Sequence, residues 1–325
     1  TRTKVYLTTL LVVLILADTV LLGYKRMSSR TDQVTQTGNI KICTGCPKPD
    51  IYLILADGYP GLSSLQDNFN FDNTPFLDSL RSRGFFIVDS SHSNYNFTPF
   101  SVSSMLDMNF LTGIKGFNSN KEDMALCYKT IKNSQTFRIL SAYGYSLYNY
   151  SIFDFTGQPS LAKPTFLPNR TTLITAQTFT SRIEKEIGHH LVTTLHLERF
   201  IRFVRMQDLE NNTRLMKETR RQLIEKNKTP KFVYTHLVMP HYPYYYDSSG
   251  NAVSYEVLDE RHHSNKKAFI SYLHYSNRQL LKLVDDIRQQ SARPPVILLM
   301  SDHGFREFPE PVSPAYYFNN LNTLI

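Results

Sequence analysis

Two apolar runs constrain this chain more than anything else in it, because each is closed by an acidic residue. Ile51–Ala56 (IYLILA) is followed by Asp57 and Gly58, and Val296–Met300 (VILLM) by Ser301, Asp302, His303 and Gly304. Five or six apolar residues without polar alternation are the pattern of a strand covered on both faces, as in a parallel sheet between helices. Lys231–Leu237 (KFVYTHL) reads as a third strand, and residues 85–90 and 145–155 are further candidates.

Helical patterns alternate with these runs. Residues 74–84 (TPFLDSLRSRG) read as a helix with Thr74 as its cap, Pro75 first inside and Gly84 at its end. Residues 98–106 begin the same way, with Thr98 at the cap and Pro99 first inside. Residues 265–290 are amphipathic, with Phe269, Leu273, Leu280, Val284 and Ile287 down one face. Residues 172–228 read as mostly helical and strongly polar. Together these predict an α/β sandwich with a largely parallel sheet.

Ahead of this pattern, residues 5–24 (VYLTTLLVVLILADTVLLGY) carry one charge, Asp18, near one end. As a helix about 20 residues span roughly 30 Å, the thickness of a bilayer core. A signal peptide has a shorter apolar region and a small-residue cleavage site, which Gly23-Tyr24-Lys25-Arg26 does not offer. A membrane span within residues 1–24 is expected, then a polar tether over 25–48 and a folded domain over 49–325. Arg2 and Lys4 precede the span while Lys25, Arg26 and Arg30 follow it, so flanking charge does not decide its orientation. The chain opens on Thr1 and stops on an unfinished strand-like stretch, so further sequence is expected at both ends.

Thirty-six basic against 28 acidic residues give a net charge of +8, mostly dispersed along the chain. That suits an anionic substrate or membrane surface, and no nucleic-acid motif or dense basic stripe is present.

In open α/β sheets ligands bind beyond the carboxyl ends of the strands. Asp57, Asp302 and His303 all fall there, two carboxylates and an imidazole suited to Zn²⁺ or Mn²⁺, with Ca²⁺ or Mg²⁺ as further options. A hydroxyl is a poor nucleophile near neutral pH unless activated, and metal coordination is one activator. Thr98, at a helix start, is placed to supply that hydroxyl, and the helix N-terminus favours an anion. Taken singly, Asp57-Gly58 is also an ordinary turn and Thr98-Pro99 an ordinary helix start.

The blocks PDIYLILADGY (49–59), NTPFLDSLRSRGFF (73–86), SNYNFTPFSVSSML (93–106), THLVMPHYPYYYD (235–247) and SDHG (301–304) occur in an order that resembles the sulfatase-like hydrolases and transferases of the alkaline phosphatase superfamily. That group includes lipoteichoic acid synthases and phosphoethanolamine transferases. The resemblance implies an alkaline-phosphatase-like sandwich in which Asp57, Asp302, His303 and Thr98 hold a divalent metal ion. It makes Thr98 the nucleophile of a covalent intermediate and His241 an active-site histidine that meets the substrate or a second ion. His236, in the preceding strand, reads as a core residue, and Asn94 as a weak candidate for orienting substrate.

Two departures from the family pattern matter. Formylglycine sulfatases carry Cys or Ser in a C-x-P-x-R context, whereas Cys127 sits in LCYKTIK. Two-metal members have a further His after the SDHG block, and no His follows His303 here. One metal is therefore the default expectation.

Weaker signals are the Cys43-x-x-Cys46 pair, read as a disulfide or two free thiols, and the His189-His190 pair, read as surface. Residues 195–206 form an amphipathic stretch with Arg199, Arg202 and Arg205, read as packed on the domain ahead of lying on lipid. Sequons occur at Asn149, Asn169, Asn211 and Asn227.

The expected function is a metal-dependent hydrolase or transferase acting on phosphate esters or diesters, lipid- or glycan-linked, at the extracytoplasmic side of a membrane. Its rivals are a sulfate- or phosphonate-ester hydrolase on the same scaffold and a tethered protein that binds anionic glycans or lipids without turnover.

Overall fold

The computed structural model describes residues 2–28, 45–114, 121–162, 198–225, 229–254, 258 and 262–325. They fall into two compact units: helix α1 (Arg2–Ser28) belongs to the first, and Lys41–Asn169 with Glu198–Ile325 form the second. At 1.5 Å per residue α1 is about 40 Å long. Among the described residues, its segment Arg2–Leu21 is the one stretch long and apolar enough to cross a membrane, and Leu7, Leu11, Val13, Ile15 and Leu16 are exposed along it.

The second unit runs β1 (Ile51–Ala56), α2 (Leu62–Phe69), α3 (Thr74–Arg81), β2 (Phe86–Ile87), α4 (Thr98–Asp107), α5 (Lys121–Lys132), α6 (Gln135–Ala142), β3 (Ser146–Tyr150), α7 (Glu198–Ile224), β4 (Lys231–Leu237), α8 (Lys266–Gln290), β5 (Val296–Met300) and β6 (Asn322–Leu324). Among the described residues its sheet has six strands in the order β2-β6-β5-β1-β4-β3. β5, β1, β4 and β3 are mutually parallel, while β6 runs against both β5 and β2. The strand-like C-terminal stretch is thus an antiparallel addition to a parallel centre.

β1 is central, and its alternation builds two cores. Tyr52, Ile54 and Ala56 pack on one face with residues of α3, α7 and α8, including Leu80, Leu215 and Leu273. Leu53 and Leu55 pack on the other with Val102 and Leu106 of α4 and Phe137 of α6. All five apolar positions read from α8 are buried. Each large apolar side chain buried this way stabilises the fold by roughly 1.5–3 kcal/mol. The expected α/β sandwich with a largely parallel sheet is the observed one.

Differences lie at the element ends. Asn73, not Thr74, precedes α3, and Phe97, not Thr98, precedes α4, so Thr98 is the first helical residue. Asn73 uses its side chain elsewhere: its Nδ2 donates to the Tyr59 hydroxyl (2.8 Å) and its Oδ1 accepts from Asn277 Nδ2 (2.9 Å). The Tyr59 hydroxyl donates to Asn277 Oδ1 (2.6 Å), closing a buried ring of three hydrogen bonds that ties β1's exit to α8. Tyr59→Phe would leave two buried amide atoms short of a partner. It is expected to destabilise the protein by about 1–3 kcal/mol, read as a lower denaturant midpoint at unchanged slope.

The candidate strand at 145–155 stops at Tyr150, because Ser151 turns the chain: Phe153 N donates to its Oγ (3.1 Å). The one at 85–90 shortens to two residues at the sheet edge, with Phe86 exposed. Asn149 and Asn211 are buried, which removes both as glycosylation acceptors. Asn169, Asn227, Cys43, His189 and His190, and the side chains of Arg199, Arg202 and Arg205, lie outside the described residues.

Candidate active site

Because β4, β1 and β5 are adjacent and parallel, their carboxyl ends open on one edge. Asp57 N donates to Leu237 O (3.0 Å), joining the exits of β1 and β4. Asp302 Oδ1 accepts from Gly58 N and from His303 N (both 3.0 Å), joining the exits of β1 and β5. Ser301 Oγ accepts from Tyr59 N (2.8 Å) and donates to His303 O (2.7 Å). Ser101 Oγ donates to the Asp302 carbonyl, which fixes the first turn of α4 against this loop. Backbone and short polar side chains therefore hold the site on rigid strand ends.

Within this frame four of the five predicted residues converge. Thr98 Oγ1 lies 3.1 Å from His303 Nε2 and 3.4 Å from Asp57 Oδ1. His303 Nε2 is 3.5 Å from Asp302 Oδ2 and 3.8 Å from Asp57 Oδ1. One ligand atom from each of Asp57, Asp302 and His303 falls within 4.8 Å of the others, and all three residues are buried. His303 Nδ1 is 2.7 Å from the Gly304 carbonyl, to which only an N–H can donate, so Nε2 is the ring nitrogen turned to the carboxylates.

Asp302 decides whether a cation fits here. Its Oδ1 is satisfied by two backbone N–H groups, while its Oδ2 is buried without any hydrogen-bond partner. A buried unpaired carboxylate oxygen beside a second buried carboxylate is costly without a cation. Two carboxylates, an imidazole nitrogen and a hydroxyl make a hard-to-borderline set that matches a divalent ion of the Zn²⁺ or Mn²⁺ type. The residues fit the group.

Electrostatics point the same way. Burial works to raise the Asp57 pKa, but His241, His236 and His303 outweigh it and hold the carboxyl well below its usual range. Burial works to lower the His241 pKa, and the Asp57 carboxylate, the Tyr242 carbonyl and Asp302 reverse this and raise it. His241 Nδ1 lies 2.6 Å from the Tyr242 carbonyl, so Nδ1–H donates there. Gly58, at φ +65°, sits between His241 and His303: a Cβ added to it would lie 3.4 Å from His241 Cδ2 and 3.7 Å from His303 Cε1. The fifth predicted residue thus flanks the cluster.

His236 was expected in the core. It is fully buried, yet its Nε2 lies 3.7 Å from Asp57 Oδ2, its Nδ1 lies 3.2 Å from the Tyr234 hydroxyl, and no hydrogen bond reaches Nε2. It backs the Asp57 carboxylate from β4. Asp208 on α7 is a second residue without a sequence signal. Burial raises its carboxyl pKa, opposed by His241. One turn on, Asn212 bonds both Val238 N and Val238 O (2.8 Å each), bringing this face of α7 to the loop of His241. Asn94 donates to Ser104 Oγ (2.9 Å) within its own segment. Cys127 is fully buried beside Tyr95 and Phe100, and burial pushes its thiol up to about 12.

Comparison with known proteins now bears on this site. The family described as Sulfatase matches residues 49–320, most of the 325-residue chain. The chain belongs to the sulfatase family. This sulfatase-family protein is an enzyme of the sulfatase-like type. Its fold is similar to the C-terminal periplasmic domain of EcEptC from Escherichia coli in complex with Zn, at 13% identity and TM-score 0.50, covering 87% of this chain and 74% of that one. It is also similar to a protein in the alkaline phosphatase superfamily from Vibrio parahaemolyticus, at 14% identity and TM-score 0.51, covering 86% and 60%. No curated protein matches its sequence.

Proposed function

We propose that this sulfatase-family enzyme transfers a phosphoryl-type group from a phosphate ester or diester through a covalent intermediate on Thr98. The observation that carries the reading is the placement of a hydroxyl, Thr98 Oγ1, 3.1 Å from His303 Nε2 and 3.4 Å from Asp57 Oδ1 at a helix N-terminus. Asp57, Asp302, His303 and Thr98 would hold a divalent ion, which when bound supplies Lewis-acid polarisation of the hydroxyl and the substrate oxygens.

Thr98 Oγ1 gives its proton to solvent, attacks phosphorus in line with the leaving group, and returns as the same deprotonated oxygen when the adduct is resolved. The bond from phosphorus to the leaving oxygen breaks, and a proton from His241 neutralises that oxygen. His241 is held by its Nδ1 bond to Tyr242, leaving Nε2 for that transfer. The neutral imidazole then takes a proton from water or an acceptor alcohol, which attacks the Thr98 adduct and releases the threonine. Water as acceptor makes the enzyme a hydrolase, and an alcohol makes it a transferase.

A threonine at this position favours phosphate over sulfate, since it cannot become formylglycine and Cys127 is buried away from solvent. We assign residues 1–24 as a membrane span, 25–48 as a tether and 49–325 as the catalytic domain on the extracytoplasmic side. The apolar helix supports this, as does the fold shared with a periplasmic domain solved in complex with Zn. The substrate would then be an anionic lipid- or glycan-linked ester.

The test is turnover of chromogenic phosphodiesters, monoesters and sulfates by the Mn²⁺- or Zn²⁺-loaded protein. Phosphate esters are expected to be preferred, with activity removed by a chelator. Sulfate-ester turnover that persists in Thr98→Ala would defeat the reading.

A further inference from the structure

The loop that carries His303 continues through Phe305 and Phe308, which pack on each other (5.0 Å between centroids) and on Phe69 (5.1 and 5.8 Å). Phe305 also lies 4.6 Å from Phe269 of α8. These contacts fix the backbone on both sides of Arg306, whose guanidinium lies over the Phe97 ring, 4.6 Å from its centroid. Phe97 directly precedes Thr98, and Arg306 follows His303 by one turn of loop, so both attachments of this side chain border the nucleophile.

Arg306 is half-buried and makes no hydrogen bond or ion pair among the described residues. Its neighbour Glu307 faces His263 (3.3 Å) instead, and the arginines that serve the scaffold, Arg83 and Arg220, each bind an aspartate (2.6 and 2.7 Å). Stacking on an aromatic face leaves the in-plane N–H donors of a guanidinium open. A half-buried cation with its donors open, held in place from below, is built to receive an anion with two oxygens at guanidinium spacing.

We infer that Arg306 binds the non-bridging oxygens of the tetrahedral anion presented to Thr98, with Phe97 as the platform that aims it. This deepens the proposed function and rests on it for the position of the anion. It makes Arg306 the residue that selects a tetrahedral oxyanion over a neutral ester.

Calorimetric titration of inorganic phosphate into the metal-loaded protein tests this without turnover. Arg306→Ala is expected to weaken phosphate binding by about 10- to 100-fold at unchanged melting temperature and metal content. Arg306→Lys should recover part of the loss, because an ammonium cannot span two oxygens, and Phe97→Leu should weaken binding several-fold, as roughly expected for a lost stacking platform. Equal phosphate affinity in wild type and Arg306→Ala, or no phosphate binding by the folded, metal-loaded wild type, would overturn the inference. Thr98-dependent turnover alongside phosphate affinity indifferent to Arg306 would sink this inference alone. Arg306-dependent phosphate binding without Thr98-dependent turnover would sink the proposed function alone.

Discussion

Thr98→Ala is expected to lower kcat on phosphate esters by a factor on the order of 10⁴–10⁶, the scale of removing a nucleophile from an otherwise intact site. Thr98 is the first residue of α4 and makes no cap hydrogen bond, so the helix loses little by the change. Phe100 N and Ser101 N bond the Phe97 carbonyl (3.0 Å each), and Ser101 still pins the loop of Asp302. The variant should therefore fold and keep most of its metal affinity, since Asp57, Asp302 and His303 remain. Turnover and metal content, measured on the same preparation, separate loss of the nucleophile from loss of the ion. A variant that retains activity would move the nucleophile elsewhere.

Asp302→Asn should have the second large effect, and with opposite signs in two assays. The amide keeps the carbonyl oxygen that accepts from Gly58 N and His303 N, so the strand exits stay joined. It replaces the unpartnered Oδ2 by a neutral group and removes one of two neighbouring buried charges. Metal-free protein should be as stable as wild type or more stable, because one of two neighbouring buried carboxylates is replaced by a neutral amide. Metal-loaded stability should fall, since the thermal shift that the ion gives wild type depends on binding the native state. Melting curves with and without Mn²⁺ or Zn²⁺ read both arms. A metal-free Asp302→Asn protein much less stable than wild type would mean that the carboxylate serves the fold rather than an ion.

Much of this was legible in the chain itself, for reasons that differ by residue. Asp57, Asp302 and His303 could be placed because unbroken apolar runs identify buried parallel strands, and a parallel sheet gathers whatever follows those runs at one edge. The helix starts were misjudged by one residue because a Thr-Pro pair gives the same signal at the cap and just inside it. The extended backbone of Phe97 (φ −142°, ψ 128°) shows which applies at α4, and it frees the Thr98 hydroxyl from capping. His236 was hidden because a histidine inside an apolar strand resembles a core residue. Its relation to Asp57 needs the register that sets Leu55 opposite His236. Arg306 was silent for a related reason, since a charged residue between two phenylalanines looks solvated until Phe97 is brought beneath it by the fold. Asp208 sits in a polar helix with no local pattern, and only the grip of Asn212 on Val238 brings it near His241.

The central claim is that the transferred group passes through Thr98, and intact-mass spectrometry tests it most directly. Metal-loaded protein would be quenched during turnover of a phosphodiester and its peptides mapped. The account predicts a phosphoryl-type adduct on Thr98 that forms only with metal and is absent from Thr98→Ala. Steady turnover with no adduct on Thr98, at unchanged rate in Thr98→Ala, would contradict it.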